Sequence, residues 1–165
     1  MPFRDLTAYL SALERRGLLR TIDEPICKDR ELVPLVRLQF RGLAEKDRRA
    51  FWFRKVTGAR GEAYEGSAVL GALGSSRAIY AAALGTDEDS IARVWAHAHG
   101  HHLPPVKVSK TAAPAKEIVL KAPHLQGGLG RFPHLISTPG FDPAPFITDR
   151  KSTRLNSSHV SESRM

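Results

Sequence analysis

Proline decides how far regular structure can run in this chain. Before residue 104 only Pro2, Pro25 and Pro34 occur. From there on come Pro104, Pro105, Pro114, Pro123, Pro133, Pro139, Pro143 and Pro145. Each fixes φ near about −65° and removes a backbone donor, so neither a long helix nor a central strand tolerates such a density. The second half is expected to be a connector and irregular chain with a few ordered anchors. Most helices and sheet strands must come before Leu103.

That first segment reads as alternating elements. Asp5 is placed to cap a helix over Leu6 to Arg16, with Leu6, Tyr9, Leu10 and Leu13 on one apolar face. Arg15, Arg16 and Gly17 are suited to its C-terminus. Leu18 to Ile22 predicts a strand, stopped by Asp23–Glu24–Pro25. A helix over Glu31 to Phe40 requires Pro34 to lie in its first turn. AFWFRKV (Ala50–Val56) predicts one strand, closed by the turn TGARG, and Ala68 to Leu73 another. Ser75 and Ser76 open a helix that ends at Leu84, with Gly85 beyond it. Thr86 starts the next, with Asp87, Glu88 and Asp89 in its positive first turn. Its buried face would be Ile91, Val94, Trp95 and Ala98, and Gly100 would end it. LPPVKVSKTAAPAK is a connector, and EIVL (Glu117–Leu120) a last strand. Helices and strands mix without a βαβ rhythm. The fold class expected is α/β (α+β), a mixed sheet flanked by helices.

The chain has 165 residues, 42% hydrophobic and 25% charged, a globular composition. No apolar run approaches the roughly 20 residues that cross a bilayer, and MPFRDLTAYL has no secretory apolar core. Cys27 is the sole cysteine, which precludes an internal disulfide and points to a reducing, cytoplasmic setting. The net charge of +8 raises nucleic acid as a partner. Part of it lies after Asp149, where Arg150, Lys151, Arg154 and Arg164 face Glu162 alone. Elsewhere RRAFWFRK (Arg48–Lys55) is the one place where bases flank aromatics. Phe51 or Phe53 could stack bases there, whereas a plain strand would bury alternate side chains.

Chemistry-bearing residues are sparse. His97 and His101 are four apart, a spacing that puts two imidazoles on one helix face for a metal. Gly100 is expected to break the helix between them, leaving a frayed polar end and no metal ligands assigned. Cys27 has no partner in sequence to activate it and reads as structural. GALGSSR lacks the lysine of a phosphate loop, yet Gly74, Ser75 and Ser76 at a helix start offer either an anion site or a cap. The residues alone show no general acid–base pair.

Taken together, the segments resemble the N-terminal part of UbiD-family decarboxylases. FRDLTAYLSALERRGLLRTIDEPI is similar to that family's opening helix and strand, FRKVTGA to its next strand and turn, and VLGALGSSRAIYAAALG to its Gly-Ser-Arg segment. APAKEIVLKAPHLQGGLGRFPHLISTPGFDPAPFIT resembles the stretch that leaves the N-terminal domain. Asp142 meets the family's Pro-Gly-Asp pattern only after a one-residue shift (Pro139, Gly140, Phe141) and is read as loop structure.

The resemblance implies a carboxy-lyase acting on aromatic, aryl-alkenyl or polyprenyl-benzoate-type acids, reversibly in some members. It implies prenylated flavin mononucleotide with manganese and often potassium. The flavin would be held by a split β-barrel that follows the N-terminal domain. The implied organisation is an α/β domain over residues 1–121, then a linker and the start of the flavin-binding domain over 122–149. Ile147 and Thr148 are the only residues carried over as cofactor-binding, on the first barrel strand. The catalytic Glu–Arg–Glu network and the metal ligands are expected downstream of a truncation, so this chain alone is expected to bind no cofactor and to be inactive. The whole enzyme would be a homo-oligomer binding a small carboxylic acid, with no nucleic acid and no membrane span. RKSTRLNSSHVS resembles translated sequencing-adapter DNA, so residues 150–165 are expected to be a foreign or disordered tail. The alternative reading is a small basic module that binds nucleic acid or a phosphorylated ligand.

Overall fold

The computed structural model describes residues 3–113, 117–119, 121, 124 and 127–145. The expected residues 150–165 tail and the carried-over Ile147 and Thr148 lie outside them.

The first helix, α1 (Leu6–Arg15), starts where the Asp5 carboxylate accepts the Ala8 N–H at 2.8 Å. It ends where Gly17 takes φ +65° and Leu18 N–H returns to the Leu13 carbonyl at 2.8 Å. Strands β1 (Leu19–Ile22) and β2 (Ile26–Cys27) follow, then α2 (Leu32–Gly42). Pro34 does fall in the first turn of α2, where no intrahelical donor is lost. A short 3₁₀ turn (Glu45–Asp47) leads to β3 (Ala50–Phe53), β4 (Val56–Thr57), β5 (Ala63–Tyr64) and β6 (Ala68–Leu70). Helices α3 (Arg77–Leu84) and α4 (Ile91–Gly100) complete the regular structure, with 3₁₀ turns at Lys110–Ala112 and Gly128–Arg131.

AFWFRKV is two strands, not the single one its composition suggests. β3 lies between β1 (parallel) and β6 (antiparallel), while β4 lies between β2 (parallel) and β5 (antiparallel). The two sheets have the same plan because one three-stranded ribbon is kinked at one level. Ile22 pairs with Phe53 and Ile26 with Val56, so Asp23–Glu24–Pro25 faces only Arg54–Lys55. Phe53 pairs with Ala68 and Val56 with Tyr64, so Glu65–Gly66–Ser67 faces the same two residues. Each outer strand holds one residue more than the central one, the count of a β-bulge, and bulged strands bend. Two hydrogen bonds carry the central strand across the kink: Arg54 N–H to Ile22 O (3.0 Å) and Ile26 N–H to Lys55 O (3.1 Å).

β3 feeds two cores. Phe51 and Phe53 face α2 and join Ile26, Leu32, Val33, Val36, Val56 and Ala68. Ala50 points the other way, to Tyr9 and Leu13 of α1 and to Ile79 and Ala82 of α3. Three expectations fail at the margins. Leu6 is exposed although it continues the apolar stripe of α1. α4 begins at Ile91, five residues after Thr86, and buries none of its residues. Glu117 to Val119 form no strand, and Ile118 and Val119 are exposed. A strand needs a neighbour for its backbone groups, and among the described residues no strand pairs with these three.

Candidate functional site

Three places gather polar side chains. The first is the turn before α3. Gly71 adopts φ +71°, and a Cβ there would collide with the Ser75 hydroxyl, so this position requires glycine twice over. The turn drives Ser75 inward, where its Oγ accepts from the Gln39 side-chain amide at 3.1 Å. The other end of that buried amide accepts the Arg49 N–H at 2.8 Å. Gln39 thus ties α2, the start of β3 and the turn together with both ends satisfied. Ser76 caps α3, accepting the Ile79 N–H at 3.3 Å, and Gly85 ends the helix at φ +69°. The freed Arg77 N–H is met at 2.8 Å by the Glu45 carboxylate. A carboxylate at a helix N-terminus is what the helix dipole favours. The anion site that GALGSSR offered is therefore filled from within: Ser76 caps the helix and Ser75 serves the buried Gln39 amide.

The second place is the buried pair Lys28 and Asp29, 2.6 Å apart. Burial works against the ammonium, but the Asp29 hydrogen bond and charge, with Tyr64, outweigh it and raise the Lys28 pKa above its ordinary value. The Lys28 ammonium also sits 5.5 Å over the Tyr64 ring, and Asp29 accepts the Ala59 N–H at 3.0 Å. The pair closes the loop after β2 onto the β4–β5 turn. Nearby Cys27 is half-buried, its N–H donating to the Glu31 carboxylate at 2.8 Å. These contacts are structural, as read for Cys27, whereas neighbours in sequence gave no sign that Lys28 would be buried.

The third place is the end of α4. The helix ends at Gly100, as expected, and His101 caps it with non-helical backbone, yet the side chains of His97 and His101 still meet. Their rings stack with centroids 4.0 Å apart and 8° between planes. Among the described residues no group of three or more His, Cys, Asp or Glu is placed to hold a metal.

The basic aromatic strand is not a stacking platform. Phe51 and Phe53 lie in the core, parallel to each other with centroids 5.8 Å apart. Trp52 donates to Ser67 Oγ at 3.0 Å, and the Arg54 guanidinium sits 5.2 Å from its ring. The rings proposed for nucleic-acid bases are spent inside the protein. Asp142 accepts the Thr138 N–H at 2.6 Å and so organises its loop, as read from sequence. Among the described residues no helix is long and apolar enough to cross a membrane.

Comparison with known proteins identifies the domain. Residues 10–98 match the model of the 3-octaprenyl-4-hydroxybenzoate carboxy-lyase N-terminal domain, the UbiD N-terminal family. The chain belongs to that family. As a UbiD N-terminal domain it also superposes on solved structures of vanillic acid decarboxylase from Sedimentibacter hydroxybenzoicus. The closed form matches at 26% identity with a TM-score of 0.56, covering 73% of this chain and 25% of that one. The open form matches at 27% identity, again with a TM-score of 0.56 and the same coverage. This UbiD chain thus spans about a quarter of the decarboxylase chains it matches. No curated protein matches it.

The fit of the family's cofactor can be tested on the side chains present. A flavin phosphate needs free backbone donors, and those at the start of α3 are taken by Glu45 and Ser76. A divalent metal of the manganese type needs converging oxygen ligands, and no such group exists among the described residues. The described part of this UbiD domain does not fit the prenylated flavin or its metal.

Proposed function

We propose that this domain is the N-terminal part of a prenylated-FMN-dependent UbiD-type decarboxylase. The enzyme would act non-oxidatively, and in some settings reversibly, on aromatic, aryl-alkenyl or polyprenyl-benzoate-type carboxylic acids. The observation that carries this reading is the family match over residues 10–98, joined to the superposition on vanillic acid decarboxylase. Losing CO2 from an sp² carbon leaves a carbanion that needs an electron sink, and the modified flavin supplies one when bound. The residues of this domain take no part in that step. Their role is architectural: a kinked sheet with a core on each face, held by the Gln39 network, forms a firm platform beside the catalytic part. Flavin, manganese, potassium and the acid–base residues would be supplied by the catalytic part of the enzyme, with Ile147 and Thr148 the only positions of this chain carried over as cofactor-binding. The enzyme works as a cytoplasmic homo-oligomer.

The test is to clone the gene across and past the codons for Thr148 to Met165. The longest open frame is then expressed with a prenylated-flavin supply, and CO2 release from vanillate, cinnamate and 4-hydroxybenzoate is measured. Turnover by the long form and none by the 165-residue chain is the expected result. Turnover by the 165-residue chain itself would overturn the proposal, and so would a flavin-loaded long form inert to every such acid.

A further inference from the structure

His97, His99, His101 and His102 cluster at the end of α4, and the UbiD reading gives them no task. We propose that His97 and His101 form a two-histidine site for a divalent ion that prefers imidazole, Zn2+, Ni2+ or Cu2+, with water completing its coordination.

The argument begins with spacing. Residues four apart on an α-helix lie one above the other, and His97 is on the last turn of α4 while His101 is the capping residue immediately after Gly100. The two rings are already side by side, 4.0 Å between centroids and nearly parallel. Stacked rings aim their in-plane lone pairs in parallel, so one ring turns about its Cβ–Cγ bond to let a single ion meet both, a short movement because the rings are already neighbours. His101 Nδ1 lies 2.9 Å from the His97 carbonyl oxygen. A carbonyl only accepts, so Nδ1 carries the proton and the neutral ring keeps its Nε2 lone pair for a ligand. Ring N–H to backbone carbonyl is the outer contact that orients metal-binding histidines elsewhere. The pair also sits at the negative end of the helix, where a cation is favoured.

Selectivity follows from the donor set. Two imidazoles and no carboxylate suit Zn2+, Ni2+ and Cu2+ rather than Mg2+, Ca2+ or Mn2+, which prefer oxygen. Both rings are exposed, leaving open positions for water. His99 is turned to a different neighbour, its ring 6.1 Å from that of Trp95, and is not part of the pair.

The experiment is calorimetric titration of the full chain with ZnCl2, with MgCl2 as control. A saturable Zn2+ site and no Mg2+ heat are expected. His97→Ala and His101→Ala should each weaken it by roughly tenfold or more, because losing either ligand ends the chelate. His99→Ala and His102→Ala should leave the affinity unchanged. All four side chains are exposed, so the variants keep the fold, which far-UV circular dichroism verifies. Amide exchange over residues 94–101 should slow with Zn2+ in the parent and not in His97→Ala. Absence of saturable Zn2+ binding would overturn the proposal. Binding that survives the double variant would do so too, as would equal losses from all four histidines.

Discussion

Helices α3 and α4 are neighbours in sequence and alike in pattern, yet they live differently. α3 has a serine cap, a left-handed glycine at its end, and Ile79, Ala81 and Ala82 buried under the sheet. α4 shows an equally clear apolar stripe, but Trp95 is 46% exposed and the helix buries none of its residues. Trp95 donates to the Tyr80 hydroxyl at 2.7 Å and lies beside the His99 ring on its own helix. Amphipathicity announces a face that wants covering. It does not say that the cover lies in the same stretch of chain.

Mutations at matched depths sharpen the contrast. Ile79→Ala should cost about 2–5 kcal/mol in chemical denaturation, since the side chain is wholly buried and leaves a cavity. Gln39→Ala should cost about 1–3 kcal/mol by stranding the Arg49 N–H and the Ser75 hydroxyl. A loss as small as that of a surface site would show that the amide does not bind the first core together.

Tyr9 offers a test by pH. Burial, partly offset by Arg16, pushes its phenol from 10.0 up to about 12. Its hydroxyl meets the Ala72 carbonyl and, at 3.1 Å, that of Ile79. The unfolded chain ionises this tyrosine first, so its contribution is complete below pH 10 and falls away as pH rises toward 12. Denaturation midpoints should drop across that window, and less in Tyr9→Phe. The smallest effect belongs to α4. Trp95→Ala should change stability by no more than about 0.5 kcal/mol, and α4 amides should exchange well before those of α3. A loss comparable to that of Ile79→Ala would erase the distinction between the two helices.

Sequence reading worked where one residue decides locally. Asp5, Gly17, Pro34, Ser76 and Gly85 each do what their own backbone chemistry allows, and each was legible. It failed where a distant partner decides. AFWFRKV divides because Asp23–Pro25 and Glu65–Ser67 each carry an extra residue opposite it. Among the described residues, 117–119 pair with no strand and the α4 stripe has no cover. The site was the least legible part. Glu45, thirty-two positions from Arg77, occupies the helix start that the serines advertised, and no local pattern foretells it. Lys28 and Asp29 pair only where the distant β4–β5 turn closes over them, through the Ala59 N–H, and no local pattern marks them.

The shared kink also sets a rule for how this fold can change in length. Side chains alternate along a strand, so removing one residue reverses the faces of all that follow until the chain can recover. Deleting Glu24 would leave two residues facing Arg54–Lys55, and either the bend straightens or Ile26 and Cys27 exchange sides. The same holds for Gly66 in the other outer strand. Three strands count against one another here, so indels are expected to persist only in matched sets or out in the loops. At this level the domain keeps its length as strictly as other proteins keep their cores.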